Sequence, residues 1–343
     1  MISVLYPMKK VLVTGGLGFL GASLVRALVG RGESVKVLDN SSRGSVEKLG
    51  DKANEVEIIT GDIRDPAIVR KTVSGTDRVI HLAFVNGTEY FYKYPAYVLD
   101  IGVKGMVNVL DSCIQEGVGD LVVASSSEAY QTPPEVPTPE TVPLSVPDPL
   151  NPRYSYGGGK ILSELMTLNY GRDYFKRVVL FRPHNVYGPQ MGYEHVIPQF
   201  IGRLQKLSTE NPVSNKFEFP LQGSGKQTRA FIFIDDFTAG LLLTIDKGEH
   251  LGIYHIGTNE EIKIGEVAKL VARQMNLDID LVPGPEAPGG TPRRCPDITK
   301  LKAFGFKQKF NLIEGLKPTV DGYMKNPAPV KSNRSEPSLF FAK

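Results

Sequence analysis

Between Val11 and Gly21 the chain reads Val11-Leu12-Val13-Thr14-Gly15-Gly16-Leu17-Gly18-Phe19-Leu20-Gly21, and few folds accept such a run. Val11-Leu12-Val13 is β-branched and aliphatic throughout, the pattern of a parallel strand buried on both faces. The glycines then call for a tight turn. Gly15 and Gly16 turn the chain, Gly18 lets the backbone come close to a pyrophosphate, and Gly21 lets the next helix pack on the strand. That helix runs on through Ser23-Leu24-Val25-Arg26-Ala27-Leu28-Val29, with free N–H groups and its positive dipole end toward the phosphates. The spacing is GxxGxxG, not the GxGxxG of the usual dinucleotide fingerprint.

A second strand, Ser34-Val35-Lys36-Val37-Leu38, ends in Asp39, 18 residues after Gly21. A carboxylate there accepts hydrogen bonds from a ribose diol and repels a 2′-phosphate, which favours NAD over NADP. Arg43, four residues on, reads as a solvated loop cation. A third strand, Val56–Thr60, leads into Gly61-Asp62-Ile63. Asp62 is placed to accept from the adenine amino group and to cap the helix that starts near Pro66. A fourth strand, Arg78–Ala83, carries Leu82 and Ala83 toward the cofactor. The expected cofactor set on these turns is Gly15, Gly18, Phe19, Leu20, Gly21, Asp39, Asn40, Asp62, Ile63, Leu82 and Ala83.

Tyr156-Gly157-Gly158-Gly159-Lys160 lies 135 residues beyond Gly21. Positions i and i+4 of a helix share a face, so Tyr156 and Lys160 point into one site. A nearby ammonium is expected to lower the phenol from its ordinary pKa of about 10. The phenolate can then take a proton from a hydroxyl as hydride leaves the same carbon for NAD. Three glycines inside a helix cost about 1 kcal/mol each relative to alanine, so something must approach that backbone closely. One more buried strand, Asp120–Ala124, ends in Ser125-Ser126-Ser127-Glu128-Ala129-Tyr130. A serine at the carboxyl end of such a strand can hydrogen-bond a substrate hydroxyl and relay its proton to Tyr156.

In this order, over about residues 8–320, the motifs resemble the extended short-chain dehydrogenases/reductases of the nucleotide-sugar epimerase/dehydratase family. Two later segments carry the same resemblance: Arg182-Pro183-His184-Asn185-Val186-Tyr187-Gly188-Pro189, and Thr228-Arg229-Ala230-Phe231-Ile232-Phe233-Ile234-Asp235-Asp236. The resemblance implies a Rossmann-like doubly wound parallel sheet with a smaller C-terminal lobe, tightly bound NAD, a nucleotide-diphosphate sugar as substrate, and a homodimer. It also implies Tyr156 as base, Lys160 as its pKa-lowering partner and a ribose ligand, both of them in contact with the cofactor, and Ser126 as the catalytic Ser/Thr. Asn185, Arg229, Arg294, His195 and Val196 fall to substrate binding. Two positions depart from the family pattern. Gly102 stands where an asparagine is frequent, and Phe91 where a serine is frequent, which points to a reshaped sugar pocket.

Oxidation at C4 of a sugar gives a 4-keto intermediate with three possible fates. Return of hydride to the other face is 4-epimerisation and needs no further acid or base. Elimination across C5 and C6 is 4,6-dehydration and needs both. Loss of a C6 carboxylate is decarboxylation. Glu128 discriminates between them. Ser126-Ser127-Glu128 is similar to the Thr-Ser-Glu of GDP-mannose 4,6-dehydratases and UDP-glucuronate decarboxylases, and differs from the Thr-Asp-Glu of hexose 4,6-dehydratases. The expectation is an NDP-hexose 4-epimerase. The alternatives are a 4,6-dehydratase or uronate decarboxylase using Glu128, and an NAD(P)-dependent sugar reductase.

The rest of the chain is organised around this site. Residues 8–189 form the NAD-binding domain, rejoined by about 231–260, and 190–230 with 261–324 form the substrate lobe. Residues 131–153 are a proline-rich loop over the site. The tail from 325 to 343 is expected to be disordered, and residues 1–7 to be an extension before Met8. A net charge of +3 with mixed signs gives no nucleic-acid footprint. Cys113 and Cys295 are too few for a disulfide framework and suit a reducing, cytoplasmic setting. His184 and His195 lack the company a metal site needs, and no apolar run is long enough to span a bilayer.

Overall fold

The structure is a computed structural model and describes residues 9–286 and 289–326. The expected extension at 1–7 and the tail from 327 lie outside these residues. Lys325, the expected start of that tail, closes the last helix instead.

Seven parallel strands form the central sheet: β1 (Lys10–Thr14), β2 (Ser34–Asp39), β3 (Val56–Thr60), β4 (Arg78–His81), β5 (Asp120–Ala124), β6 (Arg177–Pro183) and β7 (Gly252–Ile256). Their order is β7-β6-β5-β4-β1-β2-β3. The helices are α1 (Phe19–Gly30), α2 (Pro66–Val73), α3 (Thr88–Lys93), α4 (Pro95–Leu99), α5 (Gly105–Gln115), α6 (Tyr154–Tyr174), α7 (Val196–Glu210), α8 (Ile234–Lys247), α9 (Ile264–Gln274), α10 (Thr299–Ala303) and α11 (Leu312–Lys325). The chain is a Rossmann-like doubly wound α/β protein.

Side chains alternate across a strand, and here both faces are covered, which explains the unbroken apolar runs. Val11 and Val13 enter a core with Leu24, Leu28, Phe237 and Leu241 of α1 and α8. Leu12, between them, enters the opposite core with Val69, Val109 and Leu110 of α2 and α5. Each such side chain contributes about 1.5–3 kcal/mol by leaving water. The strand order reverses between β1 and β4, so their carboxyl ends open a crevice at the switch point. Gly15 and Ala83 sit there, on the turns after β1 and β4. Gly15 has φ +72, and a Cβ on it would come within 2.8 Å of the Ala83 nitrogen.

Beyond β6, short elements build the outer part. Lys216–Pro220 pairs with Asp278–Val282, and Thr228–Ala230 pairs with both Glu261–Lys263 and Arg293–Arg294. The 131–153 segment does not simply lie over the site. Thr138 donates to the Cys295 carbonyl and accepts from Asp297 through its backbone, and the Glu140 carboxylate accepts from the His255 backbone at the end of β7.

One buried ion pair ties α6 to the sheet. Arg182 of β6 donates to both Glu164 oxygens, at 2.8 and 2.6 Å, with both side chains 3% exposed. Ser125 donates to the same carboxylate, and Arg182 also reaches Tyr130. Removing one partner of such a pair leaves a buried charge alone. Glu164→Ala is therefore expected to cost about 3–5 kcal/mol, read from the urea midpoint. A loss below about 1 kcal/mol would mean the pair does not hold α6 in place.

Candidate active site

A cleft of about 940 Å³ opens at the carboxyl ends of the strands. It brings together Gly15, Gly18, Phe19, Leu20, Gly21, Asp39, Asn40, Asp62, Ile63, Leu82, Ala83, Ser126, Glu128, Tyr156, Lys160, Asn185, His195 and Arg294. Two expected residues are not on its wall. Val196 begins α7 just beyond the lining, and the Arg229 guanidinium stands behind Arg294, donating to the Thr228 carbonyl.

The cofactor half is built from backbone. Gly18 caps α1 without a side-chain acceptor, so the first N–H groups of the helix are left for a ligand. A Cβ at Gly21 would overlap the Gly15 carbonyl, so the close helix–strand packing needs glycine there. Asp39 accepts from the Leu17 N–H at 3.0 Å and the Ser41 N–H at 2.8 Å. Burial pushes its carboxyl above the usual range, against those two hydrogen bonds. An ionised carboxylate has about four acceptor positions, so capacity remains for a ribose diol. Asp62 accepts from Asn40 at 3.1 Å and from Arg64. Burial opposes its ionisation, and the Arg64 contacts outweigh burial and hold it below its ordinary value. It is not the cap of α2. Asp65 is, accepting from Ala67 and Ile68, because the residue directly before Pro66 is the one with the cap geometry. An open helix end, a close-approach turn and a ribose acceptor together fit a dinucleotide.

At the reacting end, Ser126 stands two residues past β5, and its hydroxyl favours ionisation of the Tyr156 phenol. The same oxygen accepts from the Glu128 N–H at 3.1 Å, which fixes its rotamer. Lys160 does not sit against the phenol. Its ammonium donates to the Ala124 carbonyl at 2.7 Å and lies 4.0 Å from the centre of the Phe84 ring, against 5.9 Å for Tyr156. Burial pushes Tyr156 up to about 12, and burial pulls Lys160 down to about 7. The expected lowering of the phenol by Lys160 is absent, because desolvation of both groups dominates. With burial holding it near 12, the phenol is protonated at neutral pH.

The three glycines of α6 divide the work. A Cβ at Gly157 would overlap the Gln131 amide and crowd the Glu128 carbonyl; one at Gly159 would sit 3.2 Å from the tip of Phe84; Gly158 meets only ordinary contacts. Phe84 escaped the sequence reading. Its ring meets Tyr156 edge-on at 5.1 Å, while Phe91 stacks on Tyr156 at 4.8 Å. A Cβ at Gly102 would overlap the Phe84 ring, so the two unusual positions and Phe84 form one aromatic arrangement around the phenol.

Glu128 is held by cations. Arg294 donates to it at 2.5 Å, Arg153 lies 3.9 Å away, and Arg229 adds its field. Burial would raise this carboxyl, but the guanidinium of Arg294 more than offsets it and keeps the group below its ordinary value of 4.5. Arg153 was not singled out from sequence; its only signal was its place one turn before Tyr156. Asn185 takes a left-handed φ of +38 and donates to the Ala230 carbonyl at 3.0 Å. His184 is buried with its ring 4.7 Å from His255, and both its nitrogens lack a partner among the described residues. No group of three or more His, Cys, Asp or Glu there is arranged to hold a metal ion.

A family model described as "NAD dependent epimerase/dehydratase family" matches residues 11–257. A UDP-glucuronic acid decarboxylase from Arabidopsis thaliana is 31% identical over 312 residues, 90% of this chain and 67% of that protein. The chain thus spans about two thirds of the length of that plant relative. A putative UDP-glucose 4-epimerase from Methanocaldococcus jannaschii is 30% identical over 92% of this chain and 98% of its own. Among solved structures, a dTDP-glucose 4,6-dehydratase from Streptomyces venezuelae with NAD bound superposes with a TM-score of 0.80 at 27% identity, covering 92% of this chain and 97% of that one.

Tyr156→Phe removes the phenolic oxygen and leaves the Phe84 and Phe91 contacts. It is expected to keep NAD affinity within about threefold and to lower turnover by about 10²–10⁴-fold, the usual worth of a positioned acid–base group. Calorimetric NAD titration and product assay read the two effects separately, and full turnover in the variant would remove Tyr156 from the chemistry.

Proposed function

This chain belongs to the NAD-dependent epimerase/dehydratase family, and from that premise we propose that it is a nucleotide-sugar 4-epimerase acting through a transient 4-keto sugar. It is an NAD-dependent enzyme of nucleotide-sugar chemistry. NAD, when bound, accepts a hydride from a carbinol carbon and gives it back. The protein's own residues handle the proton and the orientation. Tyr156 takes the C4 hydroxyl proton at its phenolic oxygen. Ser126 holds the same hydroxyl and links it to Tyr156. Lys160 brings positive charge to the floor of the site. Asn185 and Arg294 hold the substrate diphosphate, for which guanidinium geometry is suited, and Arg229 adds positive field from behind them.

The observation that carries this reading is the state of Glu128. Dehydration needs a carboxylic acid and a free base near C5 and C6. Glu128 is neither, since Arg294 and Arg153 hold it as a paired anion, and Ser127 beside it offers no acid. Epimerisation asks nothing more than the Tyr156–Ser126 pair and room for the keto sugar to turn. Decarboxylation is the second reading, favoured by a different observation. Arg153 and Arg294 each keep a buried Nε without a partner among the described residues, so the cluster has spare donors for a sugar carboxylate.

Proton NMR of the enzyme in heavy water with UDP-, dTDP-, GDP- and CDP-hexoses and UDP-glucuronate separates these readings. The expected result is a C4 stereoisomer without deuterium at C5, with Glu128→Gln retaining the activity. Deuterium at C5 with loss of the C6 hydroxyl would contradict it in favour of dehydration, and a pentose product in favour of decarboxylation.

The reading extends to a homodimer formed through α4 and α6, whose Leu99, Leu162 and Leu165 are 37%, 44% and 53% exposed. Size-exclusion chromatography with light scattering should give twice the chain mass, falling to the single-chain mass in Leu165→Asp. A monomeric wild type would end this part of the reading.

A further inference from the structure

Arg43 is not the solvated loop cation its sequence position suggests. It leaves the loop after β2, four residues beyond Asp39, and crosses the mouth of the cleft to Glu194 on the segment before α7. The ion pair measures 3.0 Å, and its side chains are 21% and 13% exposed. Tyr90 of α3 lies under the guanidinium, with its ring centre 5.7 Å away. One glycine makes room for the pair. A Cβ at Gly192 would overlap a Glu194 oxygen and lie 3.0 Å from the Arg43 guanidinium. Lys48, the other cation on this side, donates to the Arg43 carbonyl at 3.3 Å. Asp39, Arg43, Lys48 and Glu194 all line the same cleft.

A guanidinium just past the ribose-binding acid is the group that can pair with a ribose 2′-phosphate. Here that guanidinium is committed elsewhere, to a half-buried carboxylate from the far side of the cleft. We infer that Glu194 is a cofactor-specificity residue: by holding Arg43 across the cleft it withholds the one guanidinium that would accept a 2′-phosphate. Preference for NAD then rests on two acids from distant parts of the chain. Asp39 accepts from the ribose diol and repels a phosphate, and Glu194 removes the cation that would offset that repulsion. Glu194→Gln leaves the shape nearly unchanged and releases Arg43.

Isothermal titration with NAD+ and with NADP+ tests this, on protein whose bound nucleotide has first been measured by extraction. Glu194→Gln should tighten NADP+ about tenfold, equivalent to about 1.4 kcal/mol, with NAD+ moving less than about threefold. The gain should vanish in Glu194→Gln combined with Arg43→Gln, since it depends on the released guanidinium. Unchanged NADP+ affinity in Glu194→Gln, or a gain that survives Arg43→Gln, overturns the inference. If Glu194→Gln fails to fold, Glu194→Ala is judged by the same two criteria. The readout is binding, so the result stands apart from which sugar the enzyme converts.

Discussion

The hydrogen bond from the Lys160 ammonium to the Ala124 carbonyl is the contact on which the site depends. It joins the first turns of α6 to the last residue of β5, deep in the molecule. Everything at the reacting end is placed by that junction. Ser126 follows Ala124 by two residues, Tyr156 precedes Lys160 by one helical turn, and Glu164 follows it by another to meet Arg182 and Ser125. Burying an ammonium is costly unless it is paired or hydrogen-bonded. The carbonyl, the π-face of Phe84 and the charge of Glu164 supply that compensation. Even so, burial holds Lys160 near 7, so its charge is sensitive to what fills the cleft.

The same junction explains the odd composition of α6. A helix with three successive glycines is locally poor, and it is kept because the site needs the space. Gly157 makes room for the turn that carries Glu128 and Gln131, and Gly159 and Gly102 make room for Phe84. Phe84 and Phe91 then pack on the Tyr156 ring. Burial of the phenol is why Tyr156 lies near 12 rather than below 10. Burial thus leaves the phenol protonated at neutral pH, and the proposed role of Tyr156 as proton acceptor calls for added positive charge such as a bound NAD would bring.

Much of this was legible in the residues. The glycine turn, Asp39, the Tyr156–Lys160 spacing and Ser126 are local patterns whose geometry follows from strand and helix periods, and the cleft gathers them. What was not legible depends on contacts between distant segments. The Arg43–Glu194 pair joins residues 151 apart and the Arg294–Glu128 pair joins residues 166 apart. No local pattern announces either. The direction of the Tyr156 shift was misread for a related reason. Spacing places a cation nearby, whereas the pKa is decided by burial, which only the assembled core sets. Asp62 and Asp65 were confused on a finer scale, where one carboxylate next to Pro66 had to be chosen over another three residues earlier.

The central claim is that one carbon of a nucleotide sugar loses a hydride in this cleft and regains it before the sugar leaves. The most direct measurement follows deuterium placed on C4 of UDP- and dTDP-hexoses through turnover, read by NMR and mass spectrometry of the product. The account predicts that the label stays on C4 of the inverted product and that turnover slows relative to the unlabelled sugar. Loss of the label to water, or its transfer to free cofactor in proportion to product, would contradict it.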